Sequence, residues 1–270
     1  MKSVIFKTIT LAALIAALTV VSFAQLSNGH TALPGAVFAG ETLKYDGKLN
    51  KILRGLSIAE LTFTASTAGS EANQLVIKTE AVSKGTLLKL FRYSFLQQYQ
   101  STIDLAGFKV LRTTKHDVQK ERVRDGEAVF DQKEKRVTYV ETDPKDVNRP
   151  PRRIASEIGD SVQDMISGIY LLRLSQLVVG KRFDVSVSDS GLVYTVPVVV
   201  AAREQQKTVL GNVWCFRLEP QIFGPKRLIE RDGKMEIWMT EDARRIPVRA
   251  RINTEYGTID VKLKSVTKPS

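Results

Sequence analysis

The sequence predicts a mainly β protein, a large curved antiparallel sheet or open barrel-like sandwich with one principal helix at about 158–176. Three observations predict this. From Leu43 onward apolar residues recur mostly with a period of two, the spacing that sends alternate side chains to opposite faces of a strand. Turn-forming pairs such as Asp125-Gly126 and Asp232-Gly233 sit between strand-like runs, so adjacent strands are expected to be antiparallel. In contrast, Ile158 to Gln176 places Ile158, Val162, Met165, Ile166, Ile169 and Leu172 at spacings of three and four, one face of a helix.

The chain opens on an export signal. Lys2 and Lys7 precede an apolar run from Ile9 to Val21, and Ser22-Phe23-Ala24 forms a small-x-small cleavage site before Gln25. That run of 13 residues falls short of the roughly 20 needed to span a bilayer. The expected organisation is a signal peptide over 1–24, a flexible segment over 25–39 and one β-rich domain over 40–267. Two halves joined near 143–153, where Pro144, Pro150 and Pro151 forbid a central strand, are the alternative. No later stretch is long and apolar enough to span a membrane, and no Cys follows the cleavage site to carry a lipid. An exported, periplasmic or envelope-associated protein is expected.

Strands are expected at Leu43 to Leu49 and Leu56 to Phe63, with a bulge near Ala59-Glu60 where the apolar phase slips by one residue. Others are expected at Leu75 to Val82, Phe108 to His116, Arg136 to Glu141, Arg182 to Ser188, Val193 to Ala201 and Lys207 to Glu219. The last are Lys226 to Glu230, Lys234 to Thr240, Arg245 to Thr254 and Thr258 to Val266. Ser188-Asp189-Ser190-Gly191, Gly211-Asn212 and Tyr256-Gly257 are read as further hairpin turns. Leu87 to Phe95 fits either a short helix or a buried strand, and Gly180 suits a left-handed residue beyond the helix.

Charge narrows the partners. Because Lys2 and Lys7 leave with the signal and no acid does, the formal net charge falls from +11 to +9. A net charge of that sign favours anionic partners. Arg245, Arg249 and Arg251 alternate with apolar residues in one strand, as do Lys262 and Lys264 in the next, so pairing would give a basic face. That face is either an ordinary solvated surface or a site for an anionic headgroup. It lacks interleaved aromatics, which argues against nucleic acid.

Chemistry is harder to find. No catalytic motif is present, and neither a catalytic residue, a metal site nor a cofactor is expected. His116 lies beside Asp117, but neighbours in a strand face opposite ways and make no dyad. Glu241-Asp242 adjoins Arg244 and Arg245, as an acidic turn with local ion pairs would. Cys215, the single cysteine, excludes an intrachain disulfide and reads as a small buried hydrophobe.

Several segments carry a resemblance. Gly40-Glu41-Thr42-Leu43-Lys44-Tyr45-Asp46, Ser101-Thr102-Ile103-Asp104, the Asp164 to Arg173 pattern D-x-x-S-x-x-Y-x-x-R, and Ile237-Trp238 through Asp242 to Arg245-Ile246-Pro247 occur in this order. Together they resemble the domain of unknown function 3108 family of exported bacterial proteins. The resemblance implies a periplasmic or envelope-associated β protein and transfers no enzymatic role. Asp164, Ser167, Tyr170, Arg173, Trp238 and Asp242 are its motif residues, expected to anchor the helix and sheet rather than do chemistry.

The leading expectation is therefore non-catalytic binding of a lipid, glycolipid or polysaccharide, or assistance in envelope assembly. A protein-interaction module of an envelope complex is the alternative, and a hydrolase of an envelope polymer comes third.

Overall fold

Strand succeeds strand along most of the chain because β-branched and aromatic residues alternate with polar ones, a pattern that suits a sheet buried on one face. The computed structural model describes residues 36–50, 55–68, 71–255 and 257–267. The signal peptide, residues 25–35 and Tyr256 of the expected last turn lie outside the described residues.

The described strands are β1 (Thr42–Asn50), β2 (Leu56–Ala68), β3 (Glu71–Ser83), β4 (Phe95–Asp104), β5 (Lys109–Gln119), β6 (Arg122–Asp131), β7 (Arg136–Thr142) and β8 (Arg152–Glu157). They continue with β9 (Gln163–Asp164), β10 (Arg182–Asp189), β11 (Leu192–Thr208), β12 (Gly211–Pro220), β13 (Gly233–Thr240), β14 (Pro247–Thr254) and β15 (Gly257–Thr267). Two helices interrupt them, α1 (Gly85–Phe91) and α2 (Ser167–Leu174). All 15 strands form one sheet, ordered β8 down to β1, then β15 down to β9. Sequence neighbours pair antiparallel, β1 and β15 join the two runs, and the short β9 lies parallel to β10.

The sheet curls until its ends meet through side chains. Gln163 on β9 donates to the Phe108 carbonyl at 3.2 Å, and Asp164 accepts from Ser101 of β4 and Thr113 of β5 at 2.5 Å each. Nearby, Ser156 of β8 donates to the Gly191 carbonyl of the β10–β11 turn at 2.7 Å. Gly191 has φ +82, and a Cβ there would lie 2.6 Å from Tyr139 Cβ, so glycine is required for both backbone and space. The inner face is mostly apolar, with Leu61, Phe63, Ile77, Val198, Leu218, Ile237 and Ile252 buried upon it beside a few polar residues such as Gln97 and Asp117. The helix α2 fills the interior: Ser167 through Arg173 are all buried. An isolated eight-residue helix is unstable in water, so α2 exists through this packing. Burying each large apolar side chain is worth about 1.5–3 kcal/mol.

Some expectations change. The helix covers only Ser167–Leu174, not 158–176, because Asp164 lies in β9 and ends the helix with its side chain. Ile158 and Val162 are buried against Phe130 and Tyr139 from a loop, so their spacing mimicked a helical face. Gly180 has φ +87 but serves the turn into β10, several residues beyond the helix end. From Ala36 the segment expected to be flexible forms a short 3-10 turn, and its Phe38 is 3% exposed.

Asp125-Gly126 is not a turn but lies inside β6, with Gly126 opposite Lys115; the turn falls at Lys120-Glu121, where Lys120 has φ 55. Gly126 is needed there because a Cβ would sit 2.9 Å from the Tyr139 ring. Asp232-Gly233 ends a longer loop after β12 instead of closing a two-residue hairpin. Lys226 to Glu230 forms no strand, only a single bridge between Phe223 and Ile229. The strand expected at Lys207 to Glu219 splits, since β11 runs to Thr208 and β12 starts at Gly211. Leu87 to Phe95 resolves into α1 and then the start of β4. The expected bulge occurs at Ile58-Ala59, both buried, where Gly47 pairs Ala59 and Lys48 pairs Ser57.

Candidate functional site

The outer face of β1 to β7 carries an open trough of about 830 Å³. Strand register assembles it: Lys44 pairs Thr62, Thr62 pairs Glu80, Glu80 pairs Gln98, and Gln98 pairs His116. His116 in turn pairs Asp125, which pairs Thr142. Thr64, Lys78, Gln100, Thr114 and Glu127 form a parallel row. Hydroxyls, amides and charges of both signs therefore line one surface. Gln98 donates to Glu80 at 2.7 Å, and His116 Nδ1 lies 2.5 Å from Asp125. The histidine thus has a carboxylate partner, across the ladder rather than at Asp117, which points inward to Gln97.

The basic residues lie on the same outer surface beyond β1. Arg249 pairs Lys262 in register, yet its guanidinium is held by both oxygens of Asp260, at 2.7 and 2.8 Å. Arg251 lies over the Trp238 ring at 5.5 Å and 3.8 Å from Glu236; Lys262 lies 3.6 Å from Asp260. Lys264 is exposed. Arg245 stands apart in the turn before β14, over the Phe216 ring at 5.0 Å. Acids that the strand pattern did not pair with these cations, Asp260 and Glu236, thus interleave the strip.

A second polar cluster lies inside. Asp164 Oδ1 accepts from the Ile166 and Ser167 backbone N–H groups at 2.8 and 2.7 Å, capping α2. Ser167 Oγ accepts from the Asp164 N–H at 2.9 Å. One turn on, Tyr170 is fully buried with its ring edge against Phe38 at 5.1 Å. Burial lifts its phenol above the ordinary range. Another turn on, Arg173 binds Glu41 through two hydrogen bonds of 2.5 and 2.8 Å and donates to the Arg244 carbonyl at 3.2 and 3.1 Å. Burial alone would lower the guanidinium pKa, but Glu41 outweighs it and raises the value.

Closing segments meet the same core. Tyr45 donates to the Pro247 carbonyl at 2.9 Å, Trp238 donates to Glu204, and Asp242 accepts from Thr240 at 2.6 Å. The segments scattered from Gly40 to Pro247 thus each meet the Asp164 to Arg173 segment, through Ser101, Glu41 and the Arg244 carbonyl. A family model described as a protein of unknown function, DUF3108, matches residues 43–264. The chain belongs to the DUF3108 family.

Among solved structures, this DUF3108 chain is similar to a β-barrel-like protein of domain of unknown function DUF1849 from Brucella abortus. The likeness has TM-score 0.57 at 11% identity, over 86% of this chain and 99% of that one. It supports the barrel-like fold. The hypothetical lipoprotein YmcC from Escherichia coli matches with TM-score 0.27 at 13% identity, over 92% of this chain and 100% of that one. No curated protein matches significantly. Among the described residues, no helix is long and apolar enough to cross a membrane.

Other candidate groups of this DUF3108 chain are tied down. Glu241 is held by Arg203 through two bonds of 2.8 Å, and Asp242 by Arg244 at 2.6 and 2.8 Å. Cys215 is buried, and burial pushes its thiol up to about 12, away from reactivity. No group of three or more His, Cys, Asp or Glu side chains placed to hold a metal occurs among the described residues. The trough itself escaped sequence reading. Its signal was the polar phase of each strand, which becomes a surface only once the register is known.

Proposed function

We propose that this protein is a non-catalytic component of the bacterial envelope that holds a polysaccharide in the outer trough of β1 to β7. The observation that carries the reading is the lining: Thr62, Thr64, Gln98, Gln100, Thr114 and Thr142 present donors and acceptors along an open groove. A hydrated sugar chain matches such groups, whereas an acyl chain needs an apolar cavity. The sheet interior favours the same choice, because α2 and apolar side chains occupy it. Lys44 at the trough margin and the neighbouring Lys262 and Lys264 would receive acidic substituents of the polymer. Export is inferred from the leader over 1–24.

Binding to an array of bacterial envelope oligosaccharides tests the reading, with Gln98→Ala/Gln100→Ala as the trough variant. Retention of at least one glycan class, weakened about tenfold or more in the variant, is expected. Equal retention by both proteins, or by neither, would overturn it.

A second reading rests on β8. Its residues are largely exposed and it ends the sheet order, leaving a strand edge to which a partner segment can add. Crosslinking from a photoreactive group at Arg153 to an envelope protein would favour that reading over the glycan.

A further inference from the structure

One rim of the barrel combines exposed apolar side chains with cations. There α1 joins β3 to β4, anchored by Leu87, which is 1% exposed, and by the Lys84 N–H donating to the Ile58 carbonyl at 2.8 Å. Thr86 donates to the Ser57 carbonyl at 2.5 Å, fixing the helix against the start of β2. Beyond Leu87 the apolar side chains turn outward. Leu88 is 52% exposed, Leu90 53% and Phe91 38%, within a single stretch of four residues. Leu87 packs toward the barrel core, whereas Leu88, Leu90 and Phe91 present much of their surface to solvent. A contiguous apolar protrusion of this kind is characteristic of a docking surface.

The surroundings specify the partner. Lys89 sits between the two leucines, and Arg92 comes directly after Phe91; both are exposed. The next connection along the rim places Lys120 beside α1, its N–H donating to the Ser94 carbonyl at 3.0 Å and its ammonium 5.9 Å from the Tyr93 ring. The β7–β8 loop lies next to that: Lys145 donates to the Glu121 carbonyl at 2.8 Å and Val147 is 87% exposed. Apolar tips with a surplus of cations around them match the boundary of an anionic bilayer, where side chains enter the headgroup layer and ammonium and guanidinium groups meet lipid phosphates. A protein surface would match the apolar tips equally well but would not explain why the exposed cations Lys89, Arg92, Lys120 and Lys145 outnumber the exposed acids Glu121 and Asp146 around them.

We infer that this rim seats the protein on an anionic lipid membrane, with α1 dipping into the interface. The inference is independent of the trough, which lies on the side of the sheet, and a peripheral contact requires no membrane-spanning element. It would leave the trough lateral to the membrane and open to a polymer.

Sedimentation with vesicles tests it, using protein secreted with its own leader and recovered in the form the exporting host leaves. Wild-type protein should partition to phosphatidylglycerol-containing vesicles at least tenfold more strongly than to pure phosphatidylcholine, with the difference shrinking as salt is added. Leu88→Ser/Leu90→Ser/Phe91→Ser should lose about tenfold or more, and Lys89→Glu should reduce the preference for the anionic lipid. Because both variants share the wild-type leader, its contribution cancels. Thermal melting checks folding, and Leu90→Ser alone serves if the triple variant melts lower. Absence of partitioning, equal partitioning to both lipids, or partitioning unchanged in every variant would overturn the inference. So would a concentration-dependent dimer that the triple variant abolishes without any vesicle binding, which would assign the rim to a second copy.

Discussion

Replacing Arg173 with methionine removes the cation from the most enclosed ion pair among the described residues. The guanidinium side chain is 1% exposed and its partner Glu41 6%, so neither charge retains much contact with water. Four hydrogen bonds end there, two on Glu41 and two on the Arg244 carbonyl, and the guanidinium also lies 4.4 Å from the Phe38 ring. Methionine keeps much of the volume but strands the Glu41 carboxylate in the interior. Removing one member of a buried pair costs about 3–5 kcal/mol, mostly the desolvation of the charge left behind. For a chain of this size, each kcal/mol lowers the melting temperature by roughly 2–4 °C, so a fall of about 6–20 °C is expected. Glu41→Leu alone should be damaging for the mirror-image reason. The combination Arg173→Met/Glu41→Leu should recover most of the loss, leaving about 1 kcal/mol for the donors missing at the Arg244 carbonyl. Thermal and urea unfolding of the four proteins, monitored by circular dichroism, measure the cycle. A single variant within about 1 kcal/mol of the parent, or a double variant no more stable than either single one, would refute the reasoning.

Acid should weaken the fold through two outer-face carboxylates. Burial would raise the pKa of Asp46 and of Glu236, but hydrogen bonds from Lys84 and Ser57 in the first case, and from Arg217 and Lys234 in the second, outweigh it and hold both below their ordinary values. A carboxylate whose folded pKa is depressed contributes stability above its unfolded pKa, about 3.9 for Asp and 4.3 for Glu, and loses it as pH falls through the folded value. Asp46→Asn and Glu236→Gln should each cost about 1–2 kcal/mol near neutral pH in urea unfolding, with a deficit that shrinks below about pH 4; a pH-independent deficit would contradict this account. Separately, Asp164→Ala should cost about 2–4 kcal/mol by uncapping α2 and stranding Ser101 and Thr113. Limited proteolysis should then cut between β9 and α2 faster than in the parent; unchanged resistance would count against the staple.

Sheet architecture was legible where alternation was long and both phases were unambiguous, as in Leu75 to Val82 or Thr258 to Val266. Local turn chemistry misled where tertiary packing chose otherwise. Asp125-Gly126 has the composition of a hairpin turn, yet the glycine is needed because Tyr139 packs directly over the strand. The helix was overextended because Ile158 and Val162 bury themselves at helical spacing from an irregular segment. For the motif residues, three-residue recurrence identified Asp164, Ser167, Tyr170 and Arg173 as a set, but their partners lie far off in sequence. Glu41 is 132 residues from Arg173, and no local pattern links them. The trough was hidden for the same reason: Thr62, Gln98 and Thr142 become one surface only through ladder register.

The pairing of β1 with β15 has a consequence in time. Every other strand of the long meander up to β8 can pair with its sequence neighbour soon after synthesis, as can those from β10 to β15. One edge of β1, however, waits for residues 258–267, more than two hundred positions later. Until they arrive, two half-built sheets present unpaired edges, and such edges invite association between chains. Completion is thus a late, non-local event whose loop-closure cost falls on the slowest part of folding. A nascent chain of this design depends on being kept apart from its neighbours until its final strand is made.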